Sequence, residues 1–282
     1  MRMKNLFIKV GFLFSLVIYL SADQVHANDQ LTLWVHPYLP ATELISKFSP
    51  LATYLSKKSG RSVEVKVSKS YQSHIKRVGE GQMDLAYMGP ASYVKMTHAY
   101  GKKTVLACLE INGSPFFHGM IIALENSAIK TLQDLQGKRF AFGDPNSTMS
   151  HLVPRYMLWQ AGIDVENLNK FEFLGSHNNV ALSVLGGYYD AGGVKESVFY
   201  KYQKRGLKML AKSPPIAEHL FVASNKLPDP IINILRQSLV NLKDKTILSS
   251  IRDSITGMIV VKDADYDTLR TILEQFDGQK AE

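Results

Sequence analysis

The chain has 282 residues, a single cysteine and a formal net charge of +8 at pH 7. One cysteine excludes an intramolecular disulfide, and the basic residues form no Lys/Arg block of the kind that binds nucleic acid. We therefore expect no nucleic-acid partner, while the moderate positive balance favours anionic ligands in general.

Residues 1–27 are predicted to be a cleaved secretory signal peptide. Three basic residues, Arg2, Lys4 and Lys9, precede an apolar run from Val10 to Ala22. Val25-His26-Ala27 then fits the small-x-small cleavage rule. The apolar run is shorter than the about 20 residues of a membrane-spanning helix, and an uncleaved N-terminal anchor is the alternative. Cleavage removes three basic residues and one acidic residue, which lowers the net charge to +6. We predict export to the periplasm.

The first part of the mature chain alternates strand-like and helical patterns. Val63 to Val67 alternates as a half-buried strand does, and Thr42 to Lys58 places its apolar residues on one helical face. Gly60 ends that helix. The other predicted elements are a strand from Leu31 to His36, a helix from Ser73 to Val78, a strand from Asp84 to Met88 and a helix after Gly89-Pro90.

Two long apolar strands follow, at Thr104 to Ile111 and Phe116 to Leu124, and we expect the chain to cross there between two lobes. Ser213-Pro214-Pro215 later interrupts the pattern, and the rest of the chain is predicted to be mostly helical. Between them we predict strands at Arg139 to Phe142, Phe171 to Leu174, Ala191 to Val194 and Leu207 to Ala211, with helices through Met157, from Asn178 to Leu185 and around Val198 to Lys204.

Strand–helix alternation of this kind predicts an α/β protein with parallel or mixed sheets covered by helices. Two such series imply two lobes with a cleft between them. We place lobe 1 at 28–114 plus 214–282 and lobe 2 at 115–213. In open α/β sheets, ligands bind beyond the carboxyl ends of the strands, in the loops that open helices. Those loops are therefore the candidates for chemistry.

The loop at residues 143–150 is the leading candidate site. It follows a predicted strand, and Pro154 places the start of the next helix near residues 150–151, because proline is tolerated in a first helical turn. Ser147 and Thr148 then offer hydroxyls beside unpaired helix N–H groups, which is an arrangement that binds anions. Plain N-capping of the helix explains the same residues equally well.

Other strand ends carry further candidates. His177 could donate a hydrogen bond to an oxyanion, and Tyr38 and Tyr87 could do so through their hydroxyls. Asp190, which precedes Ala191, is the one acidic residue of this group. A surface or capping role for His177 and Asp190, and core packing for the two tyrosines, remain open.

Signals for catalysis are absent from the sequence. It contains no G-x-S-x-G nucleophile elbow, no H-E-x-x-H and no Walker-type phosphate loop, and Gly79-x-Gly81 lacks the third glycine of a dinucleotide fingerprint. The histidines show no metal-ligand spacing. We therefore expect a binding protein without a cofactor or metal rather than an enzyme.

Several segments together carry a family resemblance: Asp84 to Pro90, Asn112-Gly113, Asp134 to Arg139, Asp144 to Ser150 continuing to Tyr156, Gly175-Ser176-His177 and Tyr189-Asp190-Ala191. In this combination the sequence resembles the periplasmic phosphate/phosphite/phosphonate-binding proteins, which are solute-binding components of ABC importers. The resemblance covers nearly the whole mature chain. It implies a type 2 periplasmic-binding fold, in which two α/β lobes hinged by crossing strands close on a ligand in a central cleft.

The resemblance also implies how the ligand is held. In the family a Ser-Thr-Ser loop and its backbone amides bind the oxyanion, helped by a histidine and by tyrosines of the first lobe. Met149 stands where the family has its second serine, so one hydroxyl contact is lost. Relatives that bind aminoalkyl-phosphonates also need acidic groups for the amine, and residues 213–216 supply none. Both departures favour a small, bare oxyanion. We expect the protein to deliver it to the permease of an ABC importer, and to be a monomer because lobe closure needs free surfaces.

A signalling role is the alternative, in which the liganded protein docks on the periplasmic domain of a sensor histidine kinase. The same broad family contains such partners for arsenic oxyanions, and in arsenite-binding members a cysteine thiolate ligates the arsenic. Cys108 lies on a predicted strand just before the lobe crossing, where it could reach the cleft; burial as a small apolar side chain is the simpler explanation. The candidate ligand-binding residues are Ser147, Thr148, Ser150, His177, Tyr38, Tyr87, Asp190 and Cys108.

Overall fold

The computed structural model describes residues 30–277, so the predicted signal peptide lies outside the described residues. Within this range, no helix has both the length and the apolar character that crossing a membrane requires. The strands in chain order are β1 (Gln30–Val35), β2 (Ser62–Val67), β3 (Leu85–Met88), β4 (Thr104–Ile111), β5 (Phe116–Phe117), β6 (Gly119–Leu124), β7 (Arg139–Phe142), β8 (Lys170–Phe173), β9 (Ala191–Lys195), β10 (Leu207–Lys212), β11 (Ile216–Ala217), β12 (Leu220–Ala223) and β13 (Ile255–Ile259).

The α-helices of the described residues lie between these strands and after the last of them. They are α1 (Ala41–Ser59), α2 (Tyr71–Gly79), α3 (Pro90–Tyr100), α4 (Val153–Gln160), α5 (His177–Leu185), α6 (Glu196–Gln203), α7 (Asp229–Val240), α8 (Lys245–Ile251) and α9 (Asp267–Asp277).

The first sheet is mixed and has six strands in the order β13-β4-β12-β3-β1-β2. β1 pairs in parallel with β2 and β3, so the carboxyl ends of these strands share one edge of the sheet. β12 runs antiparallel between β3 and β4, with Leu220 opposite Met88. The residues just before β12 therefore reach the same edge. We call this sheet and the helices packed on it lobe 1.

The second sheet has five strands in the order β10-β6-β9-β7-β8. β7 pairs in parallel with both β8 and β9, so the loops after these three strands also emerge at one edge. Gly192 of β9 lets α5 approach the sheet, since an added Cβ would lie 2.5 Å from Cγ1 of Val180. We call this sheet and its helices lobe 2.

Apolar side chains on one helical face fix α1 to the first sheet. Leu44, Phe48, Leu51 and Leu55 recur at intervals of three or four residues and are fully buried. Burial of a side chain of this size stabilises the fold by about 1.5–3 kcal/mol. The helix predicted from this spacing is confirmed, with one residue more at each end.

The two sheets are joined through short strands. β5 follows β4 and precedes β6, while β11 leads from β10 back to β12, and β5 pairs antiparallel with β11. The strand predicted at residues 116–124 is divided at His118. There the ring Nδ1 lies 2.8 Å from the backbone oxygen of Ser213, which ties the two crossing segments together.

The final segment is mostly helical, as predicted, but the prediction missed the strands β11, β12 and β13, which also lie in it. β12 has four residues, all of them buried, and so brief an apolar run has no periodicity that separates a strand from a helix. The omission matters for the site, because Glu218 and His219 lie directly before this strand.

Candidate ligand-binding site

The strand-end edges of the two lobes face each other across a cavity of about 530 Å³. Lobe 2 lines it with the loops after β7, β8 and β9, and lobe 1 lines it with the loops after β1 and β3 and the turn before β12. No group of three or more His, Cys, Asp or Glu within residues 30–277 is placed to hold a metal ion. The predicted residues that line the cavity are Ser147, Thr148, Ser150, His177, Tyr38 and Tyr87.

Ser147 begins the helical segment of lobe 2. The segment opens with a wide π turn at Thr148–Leu152 and continues as α4, so it starts two residues before the predicted position. The Ser147 hydroxyl accepts a hydrogen bond from the backbone N–H of Ser150, with 3.2 Å between N and Oγ. The residue is therefore an N-cap, and its hydroxyl keeps a proton that it can donate.

Ser150 carries a buried hydroxyl that has no hydrogen-bond partner among the described residues. The residue is 1% exposed. A Cβ added to Gly143 would lie only 2.1 Å from this Oγ. Glycine at position 143 is therefore required for the hydroxyl to occupy its place. Ser150 offers a hydroxyl one position after Met149, where the family's second serine is missing.

Thr148 connects the two lobes at the cavity. Its Oγ1 accepts a hydrogen bond from the backbone N–H of Ala91, with 3.3 Å between the atoms. Ala91 lies in the first turn of α3, which begins after Gly89, another residue of the cavity lining. The starts of two helical segments thus meet at the cavity from opposite lobes. Helix N-termini carry unpaired N–H groups and partial positive charge, and both favour an anion.

His177 presents a neutral donor to the cavity. Its Nδ1 accepts a hydrogen bond from the backbone N–H of Lys195 at 3.0 Å. Burial, followed by the charges of Lys195 and His219, lowers the pKa of the ring to about 3. The ring is therefore uncharged at neutral pH, and because Nδ1 accepts, Nε2 carries the proton.

Aromatic rings form the facing wall in lobe 1. The ring of His36 lies 4.9 Å from that of Tyr38 and 5.4 Å from that of Tyr87, with Tyr71 also in contact at 5.3 Å. Burial raises the pKa of Tyr38 to about 12, so its phenol keeps its proton. The ring nitrogens of His36 have no hydrogen-bond partner in the part of the chain that the structure describes.

A buried carboxylate organises the charged part of the lobe 1 wall. Glu218 is 1% exposed, and its two oxygens bind Nδ1 of His219 at 2.8 Å and the Arg252 guanidinium at 3.2 Å. Burial opposes ionisation of Glu218, but the hydrogen bond with His219 and the charge of Arg252 outweigh it and lower the pKa to about 2. With Nδ1 bound to the carboxylate, Nε2 of His219 is left for the cavity.

Lys195 adds a second cation at the end of β9. Its side chain lines the cavity together with Arg252. Burial lowers the pKa of the ammonium, and the charge of Arg252 lowers it further, while Glu218 acts in the opposite direction. No ion pair within 4.0 Å joins Lys195 to an acidic residue in the described range.

Two candidate residues lie away from the cavity. Asp190 precedes β9, at the opposite end of the strand from Lys195, and its carboxylate is paired with Arg139 at 2.8 Å. Its place in the predicted site was wrong because it lies before a strand rather than after one. The pairing with Arg139 makes it a structural contact between β7 and β9.

Cys108 is likewise absent from the cavity lining. It is fully buried in β4, where its sulfur lies 3.5 Å from the backbone oxygen of Glu218. Burial raises the pKa of the thiol to about 12. The expectation that this residue reaches the cleft is corrected: its environment keeps the thiol protonated and away from a ligand.

Some residues of the cavity lining were not predicted, namely His36, Tyr71, Lys195, His219 and Arg252. The strand-end rule could have found the first and third, because His36 follows β1 and Lys195 ends β9. His219 depends on β12, which was missed. Arg252 follows a helix, and no local pattern places it beside Glu218.

Comparison with known proteins places this cavity in a family. The family model described as the periplasmic substrate-binding protein of phosphonate ABC transporters matches residues 33–266, which include every residue that lines the cavity. The phosphate-import protein PhnD of Mycolicibacterium smegmatis is 27% identical and is aligned over 89% of this chain and 87% of its own length.

Solved structures show the same architecture. PhnD1 from Prochlorococcus marinus in complex with methylphosphonate has 22% identity and a TM-score of 0.75, covering 88% of this chain and 98% of that one. XAC2383 from Xanthomonas citri bound to ATP has 17% identity and the same TM-score, again covering 88% and 98%. The predicted two-lobed type 2 periplasmic-binding fold of the α/β class is confirmed. The chain belongs to the periplasmic substrate-binding proteins of phosphonate ABC transporters.

Proposed function

We propose that this protein binds a phosphate-, phosphite- or phosphonate-like oxyanion between its lobes and delivers it to the permease of an ABC importer. The observation that carries the proposal is the unpartnered, buried hydroxyl of Ser150 beside the capped helix start at Ser147. A tetrahedral oxyanion supplies the acceptor that this hydroxyl lacks. The names of the M. smegmatis and P. marinus relatives, which concern phosphate import and methylphosphonate, support the same ligand class.

Recognition then follows from the donors of lobe 2. The hydroxyls of Ser147, Thr148 and Ser150, the N–H groups of the π turn and Nε2–H of His177 surround the position of the anion. Each such bond is charge-assisted and therefore about twice as strong as a bond between neutral groups. Tyr38 and Tyr87 close the site from lobe 1, and their protonated phenols offer further donors.

The cellular setting follows from the family and the N-terminal sequence. The relatives are periplasmic, and we propose that residues 1–27 direct export and are removed. We further propose that the protein acts as a monomer, since closure of the lobes on the ligand requires both of their faces. A sensor role based on Cys108 has no support, because the cysteine does not line the cavity.

A calorimetric panel tests the proposed ligand class. Phosphate, phosphite, methylphosphonate, arsenate and arsenite are titrated separately into the mature protein. We expect measurable heat with at least one phosphorus oxyanion, and none with arsenite, because the thiol is buried. Absence of binding across the panel would refute the oxyanion function, and binding of arsenite alone would favour the sensor role.

A further inference from the structure

The cavity is larger than a bare tetrahedral ion requires. Its volume of about 530 Å³ falls within the range of about 300–1,000 Å³ that is usual for pockets holding multi-atom organic ligands. The donors of lobe 2 that surround the oxyanion belong to one wall. Lys195 and Arg252 also line the cavity, one from each lobe.

Of these two cations, only Arg252 has an acidic partner within 4.0 Å among the described residues, and that partner is Glu218. Lys195 and Arg252 are close enough for the charge of Arg252 to lower the pKa of Lys195. The neighbouring carboxylate, Glu218, is shared between Arg252 and His219. Lys195 and Arg252 are both half-buried, and Glu218 is the one carboxylate beside them among the described residues. Because desolvated charges need a partner, a negatively charged group of a ligand would be stabilised here.

The acidic residues of the cavity lining do not provide this charge. Asp144 lies in the lobe 2 loop, where its Oδ1 accepts a hydrogen bond from the backbone N–H of Asn146. Asp253 is exposed to solvent, as is expected of an unpaired carboxylate. Lys47, the third basic residue of the lining, adds to the positive balance rather than reducing it.

We propose that the natural ligand carries, besides its phosphoryl group, a second anionic group that Arg252 and Lys195 hold. The ligand class is then a phosphonate or phosphate with a carboxylate or a second acidic substituent, in place of the bare ion or the aminoalkyl group. This inference rests on the proposed function, since it assumes that lobe 2 binds the phosphoryl group. The planar guanidinium of Arg252 suits bidentate pairing with a carboxylate.

Calorimetry with ligands matched in size tests the proposal. Phosphonoacetate ends in a carboxylate, whereas acetonylphosphonate has a methyl ketone of similar shape and no charge, and 2-aminoethylphosphonate ends in a cation. We expect phosphonoacetate to bind at least tenfold more tightly than acetonylphosphonate, and 2-aminoethylphosphonate to bind most weakly. The comparison uses the unaltered protein, so it does not depend on the folding of a variant.

Substitutions then test whether Arg252 and Lys195 hold the second anionic group of the ligand. In Arg252→Gln and, separately, in Lys195→Met, the ratio of the two affinities should fall below about threefold, a residual preference no larger than the effect of an exposed ion pair. Lys204→Gln removes one positive charge from an exposed site on lobe 2 and should leave the ratio unchanged. Thermal unfolding of each variant verifies that it is folded.

The outcomes separate the two proposals. Equal affinity for phosphonoacetate and acetonylphosphonate, with methylphosphonate still bound, would overturn the inference and leave the oxyanion function standing. A preference for phosphonoacetate that persists in both variants would also overturn it. Failure of all these phosphonates and of inorganic phosphate to bind would overturn the proposed function, and the inference with it.

Discussion

The two walls of the cavity offer a ligand different chemistry. The lobe 2 wall consists of hydroxyls, helix-start N–H groups, the neutral ring of His177 and the Lys195 side chain at the end of β9. The lobe 1 wall stacks aromatic rings around His36 and sets an ionised carboxylate, Glu218, beside Arg252 and His219. Lobe 2 therefore contributes mainly directed donors with one cation, and lobe 1 contributes aromatic rings and a buried charged cluster.

The difference explains why the walls depend on different parts of the sequence. The hydroxyl donors of lobe 2 lie within four residues of one another, in the turn that Ser147 caps. The charged wall of lobe 1 is assembled from residues before β12 and after α8. Removal of one buried group should therefore disturb more of its neighbours in lobe 1 than in lobe 2.

The largest loss of stability is expected from Glu218→Ala. This change leaves the Arg252 guanidinium and His219 without their shared partner in a buried setting. Removal of one member of a buried charge pair costs about 3–5 kcal/mol. We expect the free energy of unfolding in urea to fall by that amount. A loss below about 1 kcal/mol, which is typical of an exposed ion pair, would show that the cluster is not structural.

Ser150→Ala should separate binding from stability. The hydroxyl has no partner among the described residues, so its removal should leave the melting temperature unchanged or slightly higher. Affinity for methylphosphonate should fall about 10–100-fold, since a hydrogen bond to a charged group contributes about 1.5–3 kcal/mol. Calorimetry and thermal unfolding are measured on the same samples.

Ser147→Ala is the matched control for that variant. It should reduce stability by about 1 kcal/mol as well as affinity, because its hydroxyl also caps the helical segment. An unchanged affinity for methylphosphonate in Ser150→Ala would exclude its hydroxyl from the site.

Acidification should destabilise the protein through His74 of lobe 1. The ring is fully buried, and burial lowers its pKa to about 4, with the nearby charge of Arg77 acting in the same direction. Because the unfolded chain takes up this proton at the usual pKa of about 6.5, the stability is present above that pH and is lost as the pH falls toward 4. We expect a loss of about 2 kcal/mol between pH 7.5 and 5 from this residue. Urea unfolding at both pH values measures it, and His74→Gln should show a smaller difference; an equal difference in the variant would assign the effect elsewhere.

The smallest change in stability and in ligand affinity is expected from Cys108→Ser. The sulfur is buried against the backbone oxygen of Glu218 and does not line the cavity. A serine hydroxyl can keep that hydrogen bond, so stability should change by about 1 kcal/mol or less. Affinity for methylphosphonate should stay within twofold, as measured by calorimetry. Binding of arsenite that disappears in this variant would restore Cys108 as a ligand.

The two walls also differ in how many of their residues could be predicted from the sequence. Ser147, Thr148, Ser150 and His177 follow parallel strands, and the strand-end rule together with helix-start chemistry is sufficient to place them. Their position in the cavity could be predicted because the strands before them, at residues 139–142 and 171–174, were themselves predicted.

Of the lobe 1 wall, only Tyr38 and Tyr87 were predicted. Its charged cluster joins Glu218 and His219 to Arg252, which lies more than thirty positions further along the chain. Such a contact is decided by strand order, and the short strand β12 gave no periodic signal. Asp190 was misplaced for a different reason: it precedes the predicted strand Ala191 to Val194, so the strand-end rule did not support it as a site residue.

A crystal structure of the protein with methylphosphonate tests the central claim most directly. We expect phosphonate oxygens at hydrogen-bond distance, about 2.7–3.2 Å, from Oγ of Ser150 and Nε2 of His177, beside the helix start at Ser147. The methyl group should then point toward Arg252 and Lys195. Phosphonate oxygens held by Arg252 alone, with the hydroxyls of lobe 2 unoccupied, would contradict this account of the site.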